Sequence, residues 1–205
     1  HRQLILPQLG APGVSAHTIA QLTGFKVIYG PIRAEDIPLF IKSGYKKTPA
    51  MRKVRFGVLD RLILTPVELV GALKTSLVLF GILFISNQSG VANFGRMDFY
   101  AYLGSLLVGC VVTPVLLPFI IGRAFAWKGF ILGLIWAVTL ILYCNFRTTL
   151  NLSLFNTLAY LLILPSVSAF YAMNFTGAST YTSPSGVMKE MRIALPVMLV
   201  TVFLG

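Results

Sequence analysis

Few side chains in this chain are of a kind and spacing that does chemistry. The richest stretch is Gln8-Leu9-Gly10-Ala11-Pro12-Gly13-Val14, between the short apolar run Gln3-Leu4-Ile5-Leu6 and a helical pattern. A glycine-proline turn at the end of a strand is where α/β sheets hold ligands. A helix N-terminus there offers free N–H groups, and glycine admits close approach to backbone. The spacing is not GxGxxG, so a dinucleotide fingerprint is missing. A second turn, Gly30-Pro31 followed by Arg33, ends the apolar run Lys26-Val27-Ile28-Tyr29.

The remaining candidates are weaker. Lys74 lies within a long apolar segment, where a charge is costly and often functional. Glu68 precedes it by six residues, which is not a same-face spacing, so Lys74 is expected to snorkel toward the headgroups. Cys110 and Cys144 have neither CxxC spacing nor a disulfide framework, and His1 and His17 make no metal spacing. Pro114 and Pro118 are expected to kink their helix. The segment Asn174–Gly186 is rich in hydroxyls and glycines, with Ser, Thr or Tyr at every position from Ser179 to Ser183.

The elements that must position these residues follow from composition. Of 205 residues, 56% are hydrophobic and 11% charged, against about 25% charged in soluble domains. Ordinary soluble folds and disorder are both excluded. Formal charge is +11, but ten of the 17 basic residues precede Thr65, and seven fall between Lys42 and Arg61. A basic run before apolar segments reads as a cytoplasmic membrane flank rather than a nucleic-acid surface.

Residues 1–50 read as βαβα: strand Gln3–Leu6, loop, helix Val14–Leu22 stopped by Gly24, strand Lys26–Tyr29, and helix Ala34–Lys42 ending at Gly44. That order predicts a parallel sheet, with too few strands to close a core. The expected fold class is therefore mixed: the C-terminal portion of a Rossmann-like α/β domain (1–50), a basic connector (51–65), and an α-helical transmembrane bundle (66–205). A chain that starts at His1 and stops within an apolar run is expected to be part of something longer. Four spans are expected at Val67–Ile85, Phe99–Ile121, Phe130–Tyr143 (extendable back to Ala124) and Leu152–Ala172, with Pro66 in the first turn of the first. A fifth, Ile193–Leu204, is too short as it stands. Loop charges predict a multi-pass protein of the cytoplasmic membrane with its N-terminal part in the cytoplasm.

A resemblance sharpens this. His1–Val14, together with Val27–Pro38, resembles the corrinoid-binding domain of the mercury-methylation corrinoid proteins. That domain is itself related to the large subunit of the corrinoid iron–sulfur protein of acetyl-CoA synthesis. Arg52–Leu69 and Asn174–Met191 also resemble the mercury-methylation proteins, as does the order of a corrinoid domain before five spans. The family's cap-helix motif, of the type Asn-(Val/Ile)-Trp-Cys-Ala, does not occur in these 205 residues. Neither Cys110 nor Cys144 takes over its role below cobalt.

The resemblance implies a methyltransferase that passes a methyl group from a corrinoid (cobalamin-type) cofactor to Hg(II), with this chain alone inactive. Corrinoid contacts are expected at Gln8, Leu9, Gly10, Ala11, Pro12, Gly13 and Val14, then Gly30, Pro31 and Arg33. No catalytic acid, base, nucleophile or metal ligand is expected on this chain. A ferredoxin-like partner would carry the iron–sulfur clusters, steered by the Lys42–Arg61 cations or sharing them with anionic lipid. The competing class is a membrane transport or anchoring protein with a small cytoplasmic regulatory domain. The Asn174–Arg192 segment is read as a docking loop, against a plain tether.

Overall fold

The computed structural model describes residues 2–54, 56–90, 94–147, 152–179 and 184–205, and the chain divides into two compact units, His1–Arg55 and Phe56–Gly205.

In the first unit, β1 (Gln3–Leu6) pairs in parallel with β2 (Lys26–Tyr29), Gln3 opposite Lys26 and Leu6 opposite Tyr29. Helix α1 (Ala16–Thr23) joins them. Its Ser15 cap accepts from the Thr18 N–H, and Gly24 ends it at φ +72°, the left-handed stop expected of it. The segment after β1 is not an irregular loop: Gln8–Gly13 forms a 3-10 helix containing Pro12. Helix α2 (Ile37–Lys42) is preceded by a 3-10 turn at Ala34–Asp36, so α-helix starts three residues later than expected. The buried apolar side chains here are Phe40 and Met51. Leu4 and Ile5, on opposite faces of β1, stay exposed. A two-stranded sheet does not amount to the expected Rossmann-like domain among the described residues.

The second unit is helical: α3 (Val58–Gln88), α4 (Arg96–Leu107), a π-helical segment Val108–Val112, α5 (Thr113–Leu116), α6 (Phe125–Arg147), α7 (Leu154–Asn174) and α8 (Pro184–Leu204). Four of its helical runs are long and apolar enough to cross a membrane: Val58–Gln88, Arg96–Leu116, Phe125–Phe146 and Leu154–Gly177. The fifth helix differs from expectation. It starts at Pro184 and has 21 residues, but Lys189, Glu190 and Arg192 lie in its first half, and it is not among those four.

Helix α3 also begins earlier than expected, so half of the supposed connector is helix and Pro66 lies eight residues past the first. Proline cannot donate to the carbonyl four residues back, that of Leu62. The Thr65 hydroxyl donates to it instead, at 2.8 Å. Only Arg61, Thr65, Ala72 and Ser76 of α3 are buried, a single helical stripe. Most of its remaining surface is apolar and exposed, as a helix facing lipid tails would be.

The second span carries the expected proline distortion. A π segment stands before Pro114, with the Thr113 hydroxyl donating to the Val108 carbonyl at 2.9 Å. Helix α5 then stops two residues short of Pro118. At the centre of the unit lies α7, which packs against α6, α8, α4, the π segment and α3. Its closest neighbour is α6, where Gly129 and Gly133 meet Pro165, Ser168, Ala169 and Ala172 of α7. The Ser168 hydroxyl crosses that seam to the Gly129 carbonyl at 2.8 Å.

Candidate functional site

The parallel register sends both glycine-proline turns out of the same, carboxyl end of the two-stranded sheet, after Leu6 and after Tyr29. That end is where α/β sheets bind ligands. The Gly30 N–H donates to the Leu6 carbonyl at 2.7 Å, and the Ile32 N–H to the Met51 carbonyl at 3.2 Å. Gly30, Pro31 and Arg33 thereby line a hollow of about 280 Å³ with Leu6, Pro7 and Phe40. A side chain at residue 30 would lie 3.5 Å from both the Ile5 side chain and the Leu6 carbonyl, ordinary contact rather than clash. Arg33 lies 4.0 Å from Glu35 at the surface.

Of the sequence-predicted residues, Gly30, Pro31 and Arg33 share that hollow, whereas Gln8, Leu9, Gly10, Ala11, Pro12, Gly13 and Val14 do not line it. They form the 3-10 helix and its exit beyond Pro7, pinned at both ends. The Tyr29 hydroxyl donates to the Val14 carbonyl, and the Lys47 ammonium donates to the Gln8 side-chain carbonyl. Burial, and then the Arg52 charge, lower the Lys47 pKa. Leu9, Pro12 and Gly13 are exposed, and nothing lies within 4 Å of where a Gly13 side chain would start.

These residues suit one edge of a flat macrocycle. The pinned 3-10 helix offers Leu9 and bare backbone at Gly13, while the hollow is below the roughly 300–1,000 Å³ of an enclosing ligand pocket. Residues 2–54 contain no cysteine, and His17 is exposed on α1. No group of three or more His, Cys, Asp or Glu able to hold a metal occurs among the described residues. Cys110 and Cys144 form no disulfide and are buried in separate apolar clusters.

The basic run is less uniform than its sequence suggests. Lys42, Lys46, Arg52 and Lys53 are exposed. Arg61 is 3% exposed and works inside the bundle. Its Nη1 donates to the Pro114 carbonyl at 3.1 Å and the Val115 carbonyl at 2.8 Å, and its Nε to the Gly57 carbonyl at 3.1 Å. Pro118 is the reason, since it lacks the N–H that would bond Pro114 in a continuing helix. Lys128 is likewise buried, in the first turn of α6, and donates to the Leu117 carbonyl. Two cations thus stand at the C-terminal end of α5, where the helix dipole favours them. Proline positions could have signalled such donors in the sequence.

Further polar groups meet in the bundle core. The Tyr102 hydroxyl lies 2.8 Å from both the Ser76 and the Tyr171 hydroxyls, and Ser76 donates to the Ala72 carbonyl at 2.7 Å. This joins α3, α4 and α7 as interhelical polar contacts do. Glu68 is half-buried and Lys74 exposed, on different faces as their spacing requires. Within Asn174–Gly186, Phe175–Ala178 is a 3-10 turn, and residues 180–183 of the expected docking loop lie outside the described residues. No protein-family model, no curated protein and no solved structure matches the chain.

Proposed function

We propose that this chain is the membrane part, with a portion of the corrinoid domain, of a methyltransferase that converts Hg(II) to methylmercury. The observation that carries the reading is the convergence of the two glycine-proline turns at one end of the parallel strand pair. When bound, a corrinoid supplies a cobalt-borne methyl group, which passes with its bonding electron pair to Hg(II). Gln8–Val14 present Leu9 and open backbone to one edge of such a ring, held in place by Tyr29 and Lys47. Gly30, Pro31 and Arg33 shape the floor beside it. Lys42, Lys46, Arg52 and Lys53 offer an acidic ferredoxin-like redox partner a cationic face. Helices α3 to α7 hold the unit in a cytoplasmic membrane, with the N-terminal unit on the cytoplasmic side.

The test uses the complete protein in lipid nanodiscs, loaded with methylcobalamin and offered Hg(II), with methylmercury measured by gas chromatography. Leu9→Asp and Gly13→Glu are expected to weaken corrinoid binding about tenfold without loss of helix content. Binding unchanged in both variants refutes the placement. Insertion with neither corrinoid binding nor methyl transfer favours the anchoring or transport class. Sidedness is checked by labelling single cysteines at Ser89 and Arg123: Ser89 should label from outside and Arg123 only from the cytoplasm.

A further inference from the structure

The second unit contains a cleft of about 1100 Å³ between the start of α6, the middle of α7 and the length of α8. Its floor is apolar, with Phe130, Ala169, Ala194, Val197 and Met198 among its walls. At its deep end, the Ser166 and Thr201 hydroxyls lie 2.6 Å apart and satisfy each other. Its rim is cationic. Arg123 and Lys189 both line it, both are exposed, and neither has a partner among the described residues.

The one acidic group at the rim is already engaged. Glu190 accepts from the Ala126 N–H at 2.6 Å, which ties α8 to the first turn of α6 and holds the cleft's two walls together. Lys128 also lines the cleft, and its ammonium is engaged by the Leu117 carbonyl. The rim therefore presents two positive charges against one carboxylate, which is tied to backbone, over a long apolar slot.

We propose that this cleft is a binding site for an anionic phospholipid. The headgroup phosphate sits between Arg123 and Lys189, and one acyl chain runs down the slot toward Ser166 and Thr201. Basic pockets between membrane helices bind acidic lipid headgroups for this reason, and a slot walled by apolar side chains admits the chain without exposing backbone. A zwitterionic lipid fills the slot equally well but gains little from the rim, so headgroup charge decides occupancy. Trp127, which also lines the cleft and is about half exposed, stacks on Phe130 at 6.2 Å and reports on the occupant.

The test is quenching of Trp127 fluorescence by lipids brominated on their acyl chains. The whole chain is placed in phosphatidylcholine nanodiscs as the Trp136→Phe variant, which leaves Trp127 as the only tryptophan. Brominated phosphatidylglycerol is expected to be about tenfold more effective than the same fraction of brominated phosphatidylcholine, given two cations near the surface. Arg123→Gln with Lys189→Gln should abolish that preference while Trp127 stays quenchable by either lipid. Equal quenching by the two lipids, or a preference that survives the double substitution, overturns the proposal. If Trp136→Phe does not fold, native mass spectrometry of the unaltered chain decides. Retained phosphatidylglycerol that the double variant loses supports the site. Retention of neither lipid, or of both alike, refutes it.

Discussion

Substituting alanine for Gly129 or Gly133 should destabilise the membrane unit, although alanine is the better helix former. A Cβ at residue 129 would lie 2.5 Å from the Ala172 Cβ and 2.8 Å from the Ser168 carbonyl oxygen. At residue 133 it would lie 2.6 Å from the Ser168 Cβ and 2.8 Å from the Pro165 Cα. Carbon atoms prefer about 3.5–4.0 Å, and most of the obstruction is backbone or a short side chain, so α6 and α7 must part. Overpacking of this kind costs roughly 1–3 kcal/mol. Separation also weakens the Ser168-to-Gly129 hydrogen bond, about 1 kcal/mol more, while helix propensity returns about 0.5–1 kcal/mol. The net loss is about 2 kcal/mol for each variant, or a fall in Tm of roughly 4–8 °C for a unit of this size. Cys110 and Cys144 supply the assay, because both are buried thiols outside any disulfide and should react with a thiol-specific fluorophore only on unfolding. Gly71→Ala and Gly81→Ala are the controls: nothing lies within 4 Å of either added methyl, so Tm should hold or rise. If the Gly129 and Gly133 variants melt with the controls, the close α6–α7 seam is wrong.

Other perturbations follow from the same geometry. Arg61→Met leaves the Pro114 and Val115 carbonyls without their donor, which should cost about 2–4 kcal/mol in the same thiol assay; a wild-type Tm would show that those carbonyls find other partners. Gly122 has φ +113°, and a Cβ there would lie 2.7 Å from the Trp127 ring. Gly122→Ala should therefore lower Tm and shift Trp127 emission, and an unaltered spectrum refutes the contact. Burial holds the Lys47 pKa below its ordinary value, so the unfolded chain keeps that proton to higher pH than the folded one does. Folding then releases a proton in that interval, and stability rises with pH below the ordinary lysine value. Near-ultraviolet circular dichroism melts of the N-terminal unit should show wild type gaining on Lys47→Gln as pH rises toward 10, and a constant difference would sink the assignment.

Apolar runs and turn residues located most of the elements, because the physics that sets them is local. Both strands fall where the short apolar runs lie, and Gly24 ends α1 as its freedom at positive φ allows. Boundaries failed where a side-chain hydrogen bond or a charge overrides the simple rule. Pro66 reads as a helix start, yet the Thr65 hydroxyl lets α3 continue through it. The start of α8 was missed because a hydropathy reading stops at Lys189, Glu190 and Arg192, whereas a helix continues through charges that reach a rim or a neighbour's N–H. The small residues at Gly129 and Gly133 are spaced as a G-x-x-x-G seam, a signal legible in the sequence. In the candidate site, the two turns were legible as turns. Their separation into a lined hollow and a pinned 3-10 helix depends on Tyr29 and Lys47, distant in sequence, and so was not.

The buried cations change how the charge pattern bears on orientation. Counting Lys and Arg in loops assumes that each charge faces water or headgroups, where the leaflet potential acts on it. Arg61 and Lys128 do neither; they face carbonyls that the Pro118 break leaves without N–H donors. In hydrocarbon no water replaces such donors, and each orphaned carbonyl would cost several kcal/mol, so the bundle supplies its own. Removing these two from the count leaves Arg123 alone in the segment before α6, equal to Arg96 at the start of α4. The later loops then carry little bias, and orientation rests on Lys42, Lys46, Arg52 and Lys53 before α3. Replacing those four with glutamine should therefore scramble the labelling of Ser89 and Arg123 between the two sides. Replacing Arg123 alone with glutamine should leave the labelling of Ser89 one-sided. A one-sided pattern that survives loss of all four would mean that these exposed cations do not set the orientation.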